Sequence, residues 1–290
     1  MRAAPFGATP GLSDRSRACG AERSDGGSRG TRSCPSRGSR ATTAVSAPPG
    51  PSPPRLTIDR SDPVHRRLDQ LAPGLTATIG LHSRRFSPKL VRSRREIAHE
   101  GEPVSGIWIL RAGWAALVRH FADGRRQIEH VLLPGDPLPF EREASYPATI
   151  VALTPVTLID LDGPWVPDAA LLDAVLQRHT MATFHHLLDA TARLGRQVAI
   201  ERFAHLLLEL RDRLRGVGLA TDTQFRMPLT QEMLADTLGL TSVHVNRTLQ
   251  MMRQQQLIEL AGRVVTLLLP GELAHMADYP SQSTSRVAMP

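Results

Sequence analysis

Ser242, Val243, His244, Asn246 and Arg247 fall within the run SVHVNRTLQMM, in which Val245 and Leu249 repeat at the four-residue spacing of a helix face. Burying that face leaves the five residues mostly on the other side, with the chemistry of a DNA reader. Arginine can bond guanine through O6 and N7 together, asparagine can pair with the adenine edge, and an aliphatic group can touch the thymine methyl. Ser242 and His244 suit phosphate as well as bases. Catalysis finds little support. The chain holds no P-loop, no dinucleotide glycine fingerprint, no metal-ligand spacing and no nucleophile motif. Asp136 and Glu141 read as solvated loop acids rather than a working pair.

A reading helix needs a second helix to hold it. Thr230 is a good N-cap, because its hydroxyl can accept one of the orphan amides, and Glu232 adds negative charge in the first turn, where the helix dipole favours it. Leu234 and Leu238 share a face, and Gly239 offers a left-handed stop. Leu240 then plugs the turn and Thr241 caps the next helix. Beyond it, LIELAGRVVTLLL predicts two short strands turning near Ala261 and Gly262. The sum is a winged helix-turn-helix. Arg263 in the wing and Thr230 at a helix start are candidate phosphate contacts.

Upstream the periodicity shortens. Gly101, Gly113, Gly124 and Gly135 separate the runs GIWIL, AALVRHF and QIEHVLL, and ATIVAL and VTLIDL supply two more strands. Short strands at such spacing predict an antiparallel barrel or jelly roll between about Leu81 and Asp162. Trp108, Trp114 and Trp165 read as core or interface residues. Between roll and reader, about 168–215 is helical. Phe184, Leu187, Thr191, Leu194 and Val198 form a seam of about two heptads, suited either to a second copy of the chain or to packing on its own domain. Ile200, Phe203, Ala204, Leu207 and Leu214 form another stripe, and Gly195 marks a hinge between them. His179, His185 and His186 lie on this helix at spacings that match no metal signature.

The wording of LTQEMLADTLGLTSVHVNRTLQMMRQQQLIEL closely resembles the Crp/Fnr family of bacterial transcription regulators. LGRQVAIERFAHLLLELRDRL extends the resemblance, as does, less closely, EGEPVSGIWILRAGWAALVRHFADGRRQIEHVLLPGD, over roughly residues 62–278. It implies an α+β fold, with an antiparallel β-roll of the cyclic-nucleotide-binding kind over 62–165. A dimerisation helix over 168–197 and a winged helix-turn-helix over 198–278 follow, between disordered tails at 1–55 and 279–290. It also implies a homodimer on a pseudo-palindromic duplex operator, with RNA polymerase as a further partner. Arg247 aligns with the family's guanine-reading arginine. Val243 stands where many members carry a cytosine-reading Glu, so the operator should depart from the best-known consensus.

The family's effector chemistry is not legible here. Binding members follow the Pro-Gly-Asp turn with Gly-Glu and then an Arg beside Ser or Thr, which supply amides and a guanidinium to a cyclic phosphate. This chain has PGDPLPFEREASYPATIVAL, with Pro139, Phe140, Tyr146 and Pro147 at the aligned positions and Arg142 out of register. Pro137, Pro139 and Pro147 also remove amides. Leu187 and Leu188 occupy the region where binding members present hydroxyls. The only cysteines, Cys19 and Cys34, cannot build a four-thiolate iron-sulfur cluster, and the histidine spacing does not support haem. No cofactor is expected.

The chain has 290 residues and a formal charge of +7. Residues 1–55 hold nine Arg against Asp14, Glu22 and Asp25, so the part expected to fold is nearly neutral. That Gly, Ser, Pro and Arg-rich stretch cannot bury enough surface to order itself. No run approaches a signal peptide or a membrane span, so a cytoplasmic protein without a membrane partner is expected. Residues 226–269 hold four Arg against Glu232, Asp236 and Glu259. This weak charge keeps one alternative open, a small-molecule or protein-interaction module that retains the regulator fold.

Overall fold

The computed structural model describes residues 56–138, 144–162, 166 and 169–280. The expected tail at 1–55 with its two cysteines, Pro139, Phe140, Glu141, Arg142 and Trp165 lie outside the described residues.

Two helices precede the roll, α1 (Pro63–Leu71) and α2 (Leu75–Thr78), with a 3₁₀ turn at Leu81–Ser83. Asp62 starts α1 by accepting from the Val64 amide, and Pro63 sits at the first helical position, where its missing N–H costs nothing. The strands follow as β1 (Lys89–Val91), β2 (Glu96–Ala98), β3 (Trp108–Ala112), β4 (Ala115–His120), β5 (Arg126–Leu132), β6 (Thr149–Ala152) and β7 (Val156–Asp160). They make two antiparallel sheets, ordered β1-β7-β3 and β2-β6-β4-β5. Gly113 joins β3 to β4 at φ 86°, where a Cβ would stand 2.2 Å from the Pro155 carbonyl oxygen. Only glycine fits that corner.

Helix α3 (Ala169–Arg196) leads to α4 (Ala199–Gly216). The break falls at Gln197 and Val198, so the hinge expected at Gly195 is displaced. Gly195 stays helical, at a cost of about 1 kcal/mol relative to alanine. Val198 takes extended backbone instead, and its amide donates to the Glu201 carboxylate at 2.9 Å. The winged part comprises β8 (Gln224–Arg226), α5 (Gln231–Leu238), α6 (Ser242–Gln254), β9 (Ile258–Ala261), β10 (Val264–Leu267) and α7 (Pro270–Met276). Its sheet is ordered β8-β10-β9.

Three apolar clusters hold these layers. One fills the roll with Leu117, Leu132, Tyr146 and Ile150, and a second seats α1 and the start of α3 against β3 and β7. The third crosses between roll and reader, packing Trp114, Val118 and Ile128 with Phe203, Leu207 and the winged core. On α3, Met181, Phe184 and Leu188 remain 47%, 52% and 51% exposed, an apolar stripe that the chain's own core does not cover.

Two further expectations are corrected. Asp136 is not a solvated loop acid, because it is 1% exposed and ion-paired with Arg67 at 2.9 Å and Arg213 at 2.8 Å. Burial pushes its carboxyl up, but the two guanidinium groups outweigh this and hold the pKa at about 2. Glu209 continues the network to Arg193 and Arg213, at 3.0 and 3.3 Å. His179 of α3 and His130 of β5 are buried beside these ions, so His179 fills a polar interior. Tyr279 and Pro280, expected in the C-terminal tail, belong to the described structure. Tyr279 packs edge-on against His205, and its hydroxyl bonds Asp212 at 3.1 Å, whereas 281–290 lie outside the described residues.

Candidate nucleic-acid interface

The reader is built from two capped helices. Thr230 Oγ1 accepts from the Met233 amide at 3.2 Å, and Thr241 Oγ1 accepts from the His244 amide at 3.2 Å. Each bond satisfies one amide that the helix start would otherwise orphan. Between them Gly239 takes φ 63°, and the Leu240 amide returns to the Ala235 carbonyl at 3.1 Å. The turn is therefore fixed by local chemistry.

Val245, Leu249 and Met252 bury one face of α6 against Leu234 and Leu238 of α5. The opposite face is open: Ser242, Val243, His244 and Arg247 are exposed and Asn246 is half-buried. Val243 is 64% exposed, which packing within the chain does not explain and contact with a groove would. The Asn246 amide donates to Gln231 Oε1 at 3.3 Å, so this side chain meets the start of α5. Thr230 and Arg263 are exposed, Thr230 next to Gln231 and Arg263 in the turn between β9 and β10. The five residues thus share one helix face, with Thr230 at the neighbouring helix start and Arg263 on the wing.

Two features of the reader escape the sequence reading. Strand β8 pairs with β10 through Phe225 and Val265, which makes the wing three-stranded. Arg202 of α4 donates through Nε to the Gln197 carbonyl at 2.8 Å and through Nη1 to the Leu238 carbonyl at 3.0 Å. One guanidinium thereby joins the α3–α4 hinge to the end of α5. A charged residue four positions into α4 signals a solvated face from sequence alone, and no local pattern identifies its partners.

Comparison with known proteins agrees with this geometry. Residues 88–164 match a model of the cyclic nucleotide-binding domain, and residues 201–287 match a model of the Crp-like helix-turn-helix domain. The chain is similar to the nitrogen fixation regulation protein FixK of Rhizobium meliloti, with 29% identity over 197 residues, 66% of this chain and 89% of that protein. It is 31% identical over 190 residues to the transcriptional activatory protein AadR of Rhodopseudomonas palustris, covering 64% of this chain and 77% of that protein. The solved structure of FixK2 from Bradyrhizobium japonicum matches at a TM-score of 0.58 and 28% identity, over 66% of this chain and 96% of that one. The interaction-module alternative gains no support from these relatives.

Proposed function

The chain belongs to the Crp/Fnr family of DNA-binding transcription regulators, and from that premise we propose that it binds a pseudo-palindromic operator as a homodimer, reading each half-site with α6. The observation that carries this reading is the sidedness of α6, with Val245, Leu249 and Met252 buried and Ser242, Val243, His244 and Arg247 exposed. Arg247 bonds guanine, Val243 meets a thymine methyl, Asn246 reads adenine, and Ser242, His244, Thr230 and Arg263 contribute phosphate contacts. The exposed stripe of Met181, Phe184 and Leu188 supports pairing of α3 with its copy. Two readers related by a two-fold axis then meet half-sites one DNA turn apart.

The family comprises regulators rather than enzymes. RNA polymerase is the natural downstream partner, and the cytoplasm, where the operator lies, is the place of work. Among the described residues no helix is long and apolar enough to cross a membrane. The roll does not suit a cyclic nucleotide. Tyr146, 5% exposed, packs into the roll's apolar core where a binding member carries the phosphate-pairing Arg, and Pro147 beside it has no amide to give. The roll therefore acts without that effector, as a support or as a sensor of another signal. Among the described residues no group of three or more His, Cys, Asp or Glu is placed to hold a metal ion.

Enrichment of duplexes from a random pool tests the reading. The full chain should select a palindrome, and Arg247→Ala should remain a folded dimer while losing about 1–3 kcal/mol of discrimination at one guanine of each half-site. Unchanged base preference in that variant would remove Arg247 from its role.

A further inference from the structure

The winged part presents a puzzle of charge. Nonspecific attraction to DNA comes from neutralised phosphates, yet residues 226–269 hold only four Arg against three acids. Two of those acids, Glu232 and Asp236, are engaged by Arg126 of β5, at 3.4 and 2.6 Å. The missing positive charge stands on the roll. Residues 84–95, RRFSPKLVRSRR, hold five Arg and one Lys with no acid, and 92–95 are exposed throughout. At the tip of this segment Arg94 takes φ 64°, a conformation that a non-glycine residue adopts at a cost on the order of 1 kcal/mol.

Position connects the two observations. Arg94, Arg95 and His120 of the roll line one cleft with Glu232 and Met233 of α5. Gln231, the residue before Glu232, touches Asn246 of the reading helix. The start of α5 therefore has α6 on one side and the basic loop on the other. In a helix-turn-helix the first helix crosses the DNA backbone, so a duplex leaving the α6 contact passes the start of α5 and next meets residues 92–95. Glu96 also lines the cleft, 3.3 Å from His99, but this one acid against Arg92, Arg94 and Arg95 leaves residues 92–96 net positive.

We propose that the loop of Arg92, Arg94 and Arg95 is a second DNA contact, which grips the phosphates flanking each half-site and supplies the electrostatic affinity that the winged domain lacks. It rests on the operator reading above and adds to it a footprint longer than the palindrome. Such contacts carry no base information. They set affinity and its salt dependence while leaving sequence preference to α6.

The test uses the full chain and a duplex enriched from the random pool, prepared in two lengths, one ending at the palindrome and one extended by a helical turn on each side. The wild-type chain should bind the longer duplex about tenfold or more tighter at low salt. The triple variant Arg92→Ala, Arg94→Ala, Arg95→Ala should lose that advantage and bind the short duplex as before. Its slope of log affinity against log salt on the long duplex should flatten by up to about five, at about 0.9 for each of six lost phosphates in the dimer. The charge-keeping triple change to lysine should retain the advantage. A triple alanine variant that still prefers the long duplex, or that weakens on both lengths equally, overturns the proposal alone. A pool that yields no palindrome overturns the operator reading and this proposal with it.

Discussion

Asp136 illustrates how much one side chain can carry when it is buried among charges. Its carboxylate meets Arg67 of α1 and Arg213 of α4 and accepts the Leu133 amide at 2.8 Å, so three separate segments converge on two oxygens. Asp136→Asn keeps the shape and removes the charge, leaving two guanidinium groups in the interior without their counterion. Breaking a buried pair in this way costs about 3–5 kcal/mol. Urea denaturation of the variant should show a loss of that size, and a change below about 1 kcal/mol would mean that water already screens the cluster. The same residue shows why sequence misplaces it. An aspartate after Pro-Gly reads as a surface turn, and its partners lie 69 residues before it and 77 after it.

Among the elements, the pair α5–α6 was the most legible and the hinge the least. Caps, stop and turn in the pair come from Thr230, Gly239 and Thr241 acting on neighbours within four residues, so the local sequence determines the local fold. The strands between glycines were legible for the same reason. By contrast β8 exists because Phe225 lies opposite Val265, which leaves no periodic mark, and α1, whose Val64, Leu68 and Leu71 do repeat at helical spacing, is placed by packing against α3 and β3, which its own sequence does not reveal. At the site, the exposed face of α6 followed from its buried face, whereas the tie from Asn246 to Gln231 requires the crossing of two helices. The hinge belongs with the illegible part, because Arg202 holds it through carbonyls at Gln197 and Leu238. Arg202→Ala leaves both without that donor, at a cost of about 1–3 kcal/mol, and lets α5 and α6 shift on α4. Operator affinity should fall while the preferred bases stay the same. Enrichment profiles of the variant check this, and an altered consensus would place Arg202 in base reading instead.

In the whole molecule, roll and reader share one apolar cluster and one ion network, so acid should act on both together. His179, buried beside Asp136, Arg67 and Arg213, is lowered from 6.5 to about 4, chiefly by burial. His186, whose side chain keeps 21% of its surface, is lowered to about 4 by burial despite Glu209, with Arg213, Asp136 and Asp189 also facing it. The unfolded chain takes up protons on both below about 6.5 and the folded chain resists until about 4. Stability from these neutral rings is thus complete above 6.5 and falls as pH drops toward 4. Asp136 and Glu209 act lower, since each is held at about 2 against ordinary values of 3.8 and 4.5, so their contribution is complete above those values and is lost as pH falls toward 2. Thermal unfolding followed from pH 8 downward should therefore show one cooperative transition whose midpoint starts to fall near 6.5 and steepens below 4.5. His179→Gln should flatten the upper limb and leave the lower one in place. A midpoint constant between 6.5 and 4.5 in the unaltered chain would show that the histidines titrate normally and that the interior around them is wet.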